Sequence, residues 1–146
     1  MPSQDAAPKR KRILVIDQDD WSRDFFSSVI KMMGAEFKLV STVEEANIVI
    51  EEMTFDLVIT DLRLPESRHL VERCRHRFPT VRILVMAPPR IQPDPFFFLD
   101  MVDLIPKPVN FDDIIRKIRH AMHQMDLQET EEQFRRLKKE AFRLLF

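Results

Sequence analysis

The stretch RILVIDQDDWSRDFFSSVIKMMGAEFKLV, residues 12–40, decides how the chain folds. It opens on an apolar run, RILVI at 12–16, bounded by charge and too short for a helix, which reads as a buried strand. Phe26, Val29, Ile30 and Met33 then recur at helical spacing. Gly34, the one glycine of the chain, follows directly and suits the left-handed turn that ends a helix. EFKLV at 36–40 is a second β-like run and completes a strand–helix–strand unit.

The unit repeats along the chain. Further β-like runs lie at DLVIT (56–60), RILVM (82–86) and VDLI (102–105). The second helix opens on Thr42-Val43-Glu44-Glu45, a capping-box pattern, and runs to about Met53 with Val43, Ala46, Val49 or Ile50, and Met53 inward. A short third helix carries Leu70, Cys74 and Phe78. A fourth starts at Asp94-Pro95, aspartate as N-cap and proline at the first helical position. A fifth starts near Asn110 and carries Ile114, Ile115, Ile118 and Met122. Strict alternation predicts an α/β fold with a doubly wound, five-stranded parallel sheet and helices on both faces.

The strand order is legible too. Strands buried on both faces read as continuous apolar runs, and edge strands can carry charge. ILVI, LVI and ILVM are uninterrupted, whereas EFKLV holds Lys38 and VDLI holds Asp103. Strands two and five are therefore the edges, which matches the flavodoxin-like order 2-1-3-4-5.

Bulk composition narrows the function classes. The chain has 146 residues and a formal net charge of −1, so no bulk field favours nucleic acid or an anionic membrane. The single cysteine, Cys74, excludes an intramolecular disulfide, fits a reducing compartment and reads as a small buried residue. KRKR at 9–12 precedes only four apolar residues, and PFFFL at 95–99 is too short to cross a bilayer, so a cytoplasmic protein is expected. Residues 1–10 read as a disordered tail and 11–125 as one domain. Residues 126–146 read as a C-terminal helical extension with a seam of Leu127, Phe134, Leu137, Ala141 and Leu144. This extension folds back, pairs with its twin in a homodimer or docks on a partner; it leaves no room for a helix-turn-helix unit, so no direct DNA binding is expected. Phe96, Phe97 and Phe98 point about 100° apart on a helix and cannot all face one core; either two are buried with the third partly covered by the loop, or the run forms an exposed apolar contact for a partner.

In such a sheet ligands bind beyond the carboxyl ends of the strands. Strand one leaves Asp17, Gln18 and Asp19 there, strand three leaves Asp61, and strand five leads into Pro106-Lys107-Pro108. Strands one and three are neighbours, so Asp17 and Asp61 face each other and Lys107 approaches from the far side. Each aspartate alone reads as a helix cap. Together they carry a Coulombic cost that a divalent cation removes, and magnesium prefers hard oxygen ligands. The residue types point to metal-assisted phosphoryl chemistry.

These pieces resemble the receiver domain of bacterial two-component response regulators over roughly residues 11 to 123. The matching segments are ILVIDQDDWSR, FDLVITDLRLP, FPTVRILVMA and IPKPVNFDDII. The resemblance implies a single-domain signalling module, not an enzyme, that accepts a phosphoryl group on Asp61 from a histidine kinase or phosphotransfer protein. It implies Mg²⁺ held by Asp17, Gln18, Asp61 and the backbone carbonyl of Arg63, with Lys107 on the phosphoryl group and a cis Lys107–Pro108 peptide. Output would pass to a downstream protein through the fourth and fifth helices or the C-terminal helix.

The chain departs from the family pattern at named positions. Gln18 replaces a second acid, Met86 replaces a serine or threonine, Leu104 replaces an aromatic residue and His69 replaces a glycine. A receiver that works without phosphorylation is the competing reading. A haloacid-dehalogenase-like phosphatase, with Asp17 of the Asp17-Gln18-Asp19 triplet as nucleophile, is a third; Asp61→Asn and the identity of the phosphorylated aspartate separate them.

Overall fold

The computed structural model describes residues 10–88 and 103–123, together with 135, 136, 139 and 143. Five parallel strands form one sheet: β1 (Arg12–Ile16), β2 (Glu36–Val40), β3 (Leu57–Asp61), β4 (Arg82–Ala87) and β5 (Asp103–Pro106). Their spatial order is β2-β1-β3-β4-β5. Lys38 and Asp103 lie on the two edge strands, where a charge keeps contact with water.

Helices α1 (Asp20–Met32), α2 (Val43–Glu52) and α3 (Ser67–Arg77) connect the first four strands, and residues 111–123 form a helix after β5. Side chains alternate across a strand, so each strand feeds two cores. Ile13 and Val15 of β1, Leu57 and Ile59 of β3, and Leu84 and Met86 of β4 pack with Phe26, Val29 and Ile30 of α1 and with Ile114, Ile118 and Ala121. Leu14, Ile16, Val58, Ile83 and Val85 face the other way, onto Ala46, Val49 and Ile50 of α2 and Leu70, Val71 and Cys74 of α3. A stack of Trp21 on Phe25, and of Phe25 edge-on to Phe111, links α1 to the helix over 111–123.

Local signals fix the helix ends. Thr42 accepts the Glu45 N–H at 3.1 Å, while the Glu45 carboxylate takes the Ser41 hydroxyl. Asn110 caps the last helix by accepting the Asp113 N–H at 3.1 Å. Gly34 closes α1 at φ +73°, a conformation in which a side chain would be strained. α3 is not short: its 11 residues match the length of its neighbours, and its charge-rich exposed face conceals the inward stripe. His69 is an exposed residue of that helix with its ring nitrogens 3.5 and 3.8 Å from the carboxylates of Glu66 and Glu72, so a side chain is accommodated there. Cys74 is buried, and burial pushes its thiol up to about 12.

The expected fourth helix at Asp94-Pro95, the Phe96–Phe98 run and the seam from Leu127 to Leu144 lie outside the described residues. Within the C-terminal segment, Arg135, Arg136, Lys139 and Arg143 are helical and exposed. Among the described residues no helix is long and apolar enough to cross a membrane.

Candidate functional site

β1 and β3 pair in register, Ile16 opposite Thr60, so the residues that follow them emerge side by side. Asp17 and Asp61 are both fully buried there. β5 brings Lys107 over the same end, and the Lys107–Pro108 peptide is cis. The Lys107 ammonium donates to Asp17 Oδ1 at 3.0 Å and to Asp61 Oδ2 at 2.8 Å. Three residues far apart in sequence thus meet at one ammonium group, as their positions at three strand ends predict.

The backbone around Asp17 is pinned from several sides. Its N–H donates to the Val40 carbonyl of β2, and its own carbonyl accepts from Arg23 at 2.6 Å. Arg23 also pairs with Asp20. Asp17 Oδ1 accepts the Asp19 N–H at 3.0 Å, but Oδ2 is buried and meets no donor among the described residues. A buried carboxylate oxygen without a donor is costly unless something positive reaches it.

Asp61 is fully engaged. Oδ1 accepts the Arg63 N–H at 2.9 Å and Arg63 Nε at 3.3 Å; Oδ2 accepts Arg63 Nη2 at 3.0 Å beside Lys107. Burial opposes ionisation of this carboxyl, but hydrogen bonds from Arg63 and Lys107 outweigh it and hold the group below the usual carboxylate range. The ionised form is the nucleophilic form of a carboxylate.

The other sequence candidates fall elsewhere. Gln18 is exposed and lines a cleft of about 590 Å³ with Ser41, Thr42, Leu64, Pro65 and His69. Among the described residues no hydrogen bond joins it to Asp17 or Asp61. Asp19 is the N-cap of α1: its carboxylate accepts the Trp21 N–H at 3.0 Å and the Ser22 hydroxyl at 3.1 Å. Met86 is opposite Asp61 in the ladder, fully buried and part of the α1-side core. Leu104 is half-buried against the other core. The Arg63 guanidinium is the site group that sequence reading missed, since only its carbonyl was expected to matter. The signal was its place two residues after Asp61, within reach of the carboxylate.

The donor set fits a hard divalent cation in part. Two carboxylates, one with an unsatisfied buried oxygen, converge on one ammonium, which is oxygen chemistry. A third carboxylate is missing: among the described residues no three His, Cys, Asp or Glu side chains group to hold a metal.

A family model for the response regulator receiver domain matches residues 13–119. FleR, a response regulator protein of Pseudomonas aeruginosa, is 30% identical over 78 residues, which are 52% of this chain and 16% of FleR. A gliding motility regulatory protein of Myxococcus xanthus is 30% identical over 64 residues, 44% of this chain and 8% of that protein. The chain thus spans less than a fifth of the length of these relatives. Among solved structures, a CheY-like receiver domain protein of Methanospirillum hungatei superposes with a TM-score of 0.69 at 25% identity, covering 84% of this chain and 99% of the other. A receiver domain protein of Clostridium thermocellum gives 0.71 at 19%, covering 81% and 98%, which speaks for the fold alone.

Proposed function

The chain belongs to the response regulator receiver domain family, and from that premise we propose that Asp61 accepts a phosphoryl group in a Mg²⁺-assisted step and that the protein then signals by protein contact. The observation that carries the reading is the Lys107 ammonium held between Asp17 and Asp61 at 3.0 and 2.8 Å. A carboxylate that is ionised, buried and flanked by a fixed cation is prepared for one reaction above others. An Asp61 oxygen forms a bond to phosphorus while the phosphorus–nitrogen bond of a phosphohistidine breaks, and the freed imidazole nitrogen keeps the bonding pair and takes a proton from water, the ionised carboxylate having none to give. Lys107 is already within hydrogen-bond distance of Asp61 and would turn to an oxygen of the arriving group without travelling far.

Bound Mg²⁺ would supply charge neutralisation for the crowded oxygens. The residues that would hold it are Asp17, Asp61, the Arg63 carbonyl and, as a neutral ligand, the Gln18 amide. The donor would be a histidine kinase or phosphotransfer protein, and the setting the cytoplasm. Output would pass to a protein partner.

A second reading has specific support. Met86 cannot donate a hydrogen bond to a phosphoryl oxygen, and its burial gives it a packing role instead. A protein of this kind would engage its partner without phosphorylation. Incubation of the full chain with a small acyl phosphate and Mg²⁺, read by intact mass, separates the readings. We expect one phosphoryl adduct on wild type and none on Asp61→Asn. No adduct on wild type overturns the acceptor role, and an adduct mapped to Asp17 moves the chemistry to a phosphatase-like nucleophile.

A further inference from the structure

Asp61 is held by two cations, and only one of them is fixed. Lys107 is largely covered, at 9% side-chain exposure, and comes from just beyond β5, far along the chain. Arg63 grips the same carboxylate from the loop that follows β3, with Nε on one oxygen and Nη2 on the other. This is the forked geometry in which guanidinium and carboxylate match best. Yet the Arg63 side chain is 43% exposed, against 1% for Asp61. It covers the acid from the solvent side and can swing away without opening the core.

The charges close among themselves. Asp17 and Asp61 bring two negative charges, and Lys107 and Arg63 bring two positive ones. Elsewhere in such an arrangement a divalent cation would be needed to relieve the acids. Here the chain carries its own relief on a flexible arm. A group that binds both Asp61 oxygens also occupies the directions from which a metal or a phosphorus atom would approach.

We infer that Arg63 is a built-in counter-ion that competes with a divalent cation for the Asp61 carboxylate, so that cation binding and access to Asp61 both require the guanidinium to leave. Its consequence for phosphoryl transfer rests on the acceptor role of Asp61; the competition itself rests on the fork. Gln18 then acts in the same direction, since a neutral residue there leaves the cation with less to gain on displacing Arg63.

The test is calorimetric titration of Mg²⁺ into the full chain with no phosphodonor, for wild type, Arg63→Gln and Arg63→Lys. Arg63→Gln removes the charge and the fork, and should bind Mg²⁺ about tenfold more tightly than wild type. Arg63→Lys keeps the charge but loses the fork, and should fall between. Thermal unfolding gives a second readout: Arg63→Gln should melt below wild type in chelator and gain more from saturating Mg²⁺. Equal affinities in all three proteins, or no Mg²⁺ binding by any, overturn the inference. Should Arg63→Gln fail to fold, Arg63→Lys decides alone, an unchanged affinity overturning it. Tighter binding by the variants, together with no phosphoryl adduct on wild type or on either variant in a separate incubation with acyl phosphate and Mg²⁺, would defeat the acceptor role and leave the counter-ion standing.

Discussion

Lys107 Nζ lies 2.8 Å from Asp61 Oδ2, and this contact ties the end of β5 to the end of β3 across the fourth strand. Because the same ammonium also holds Asp17 at 3.0 Å, its removal strands two buried carboxylates beside a single remaining guanidinium. Breaking a buried ion pair from one side typically costs about 3–5 kcal/mol. Lys107→Met should therefore lower the unfolding free energy at pH 7 by about 3 kcal/mol in urea titrations. Adding Asp61→Asn to that variant should restore part of the loss, because one of the two crowded charges is gone. A Lys107→Met protein as stable as wild type would show that the ammonium does not neutralise the pair.

Gln18 follows Asp17 directly and stands outside the Lys107 cluster, lining the cleft toward α2 and α3. A carboxylate in its place adds one negative charge near Asp17. At a few ångströms in a wet environment, one extra unit charge attracts a dication by about 2 kcal/mol before desolvation takes its share. Gln18→Asp should then bind Mg²⁺ about tenfold more tightly by calorimetry, with little change in the melting temperature in chelator. Affinity equal to that of wild type would mean that position 18 does not face the metal.

Met86 packs among Ile13, Ile59, Leu84 and Ile105 with none of its surface exposed, directly opposite Asp61 in the β3–β4 ladder. Met86→Thr supplies a hydroxyl beside the acid but removes buried volume and brings a polar group into an apolar layer. The expected loss is about 2–4 kcal/mol, measured as a lower urea midpoint at unchanged slope. A neutral substitution would mean that the pocket around Met86 opens toward the site more than its packing indicates.

How much of this was legible in the sequence depends on the range of the interaction. The apolar runs at 13–16, 57–59 and 83–86, with Lys38 and Asp103 marking the edges, carry the strand order directly, because burial on two faces permits nothing polar. The meeting of Asp17, Asp61 and Lys107 follows from that order. Three consecutive positions that include two acids do not reveal their division of labour. Asp17 turns inward to Lys107 while Asp19 caps α1, and only the backbone turn, with Asp19 extended at ψ 114°, makes the difference. The Arg63 fork was hidden for a similar reason: an arginine in a loop reads as solvated until the loop's path is known. In α3 the seam of Leu70, Val71 and Cys74 is diluted by charged neighbours, which made the helix look shorter than it is.

Asp113 offers a pH test away from the site. It sits in the first turn of the helix over 111–123, where it accepts from Arg116 at 2.6 Å and pairs with Lys117 at 3.3 Å. Lys117 in turn donates to the Leu104 carbonyl, so this carboxylate braces the helix against β5. Burial opposes its ionisation, but Arg116 and Lys117 prevail and hold it below the ordinary carboxylate range. A carboxyl whose folded value is lowered adds stability that is present above the unfolded value of about 3.9 and is lost as pH falls through the folded value. Because the group is near the surface, solvent screening keeps its worth to roughly 0.5–1 kcal/mol. Asp113→Asn should thus be less stable than wild type by about that amount at pH 7, and the two unfolding curves should converge as the pH falls below about 4. A gap that persists unchanged into acid would assign the effect to the lost shape of the side chain and not to its charge.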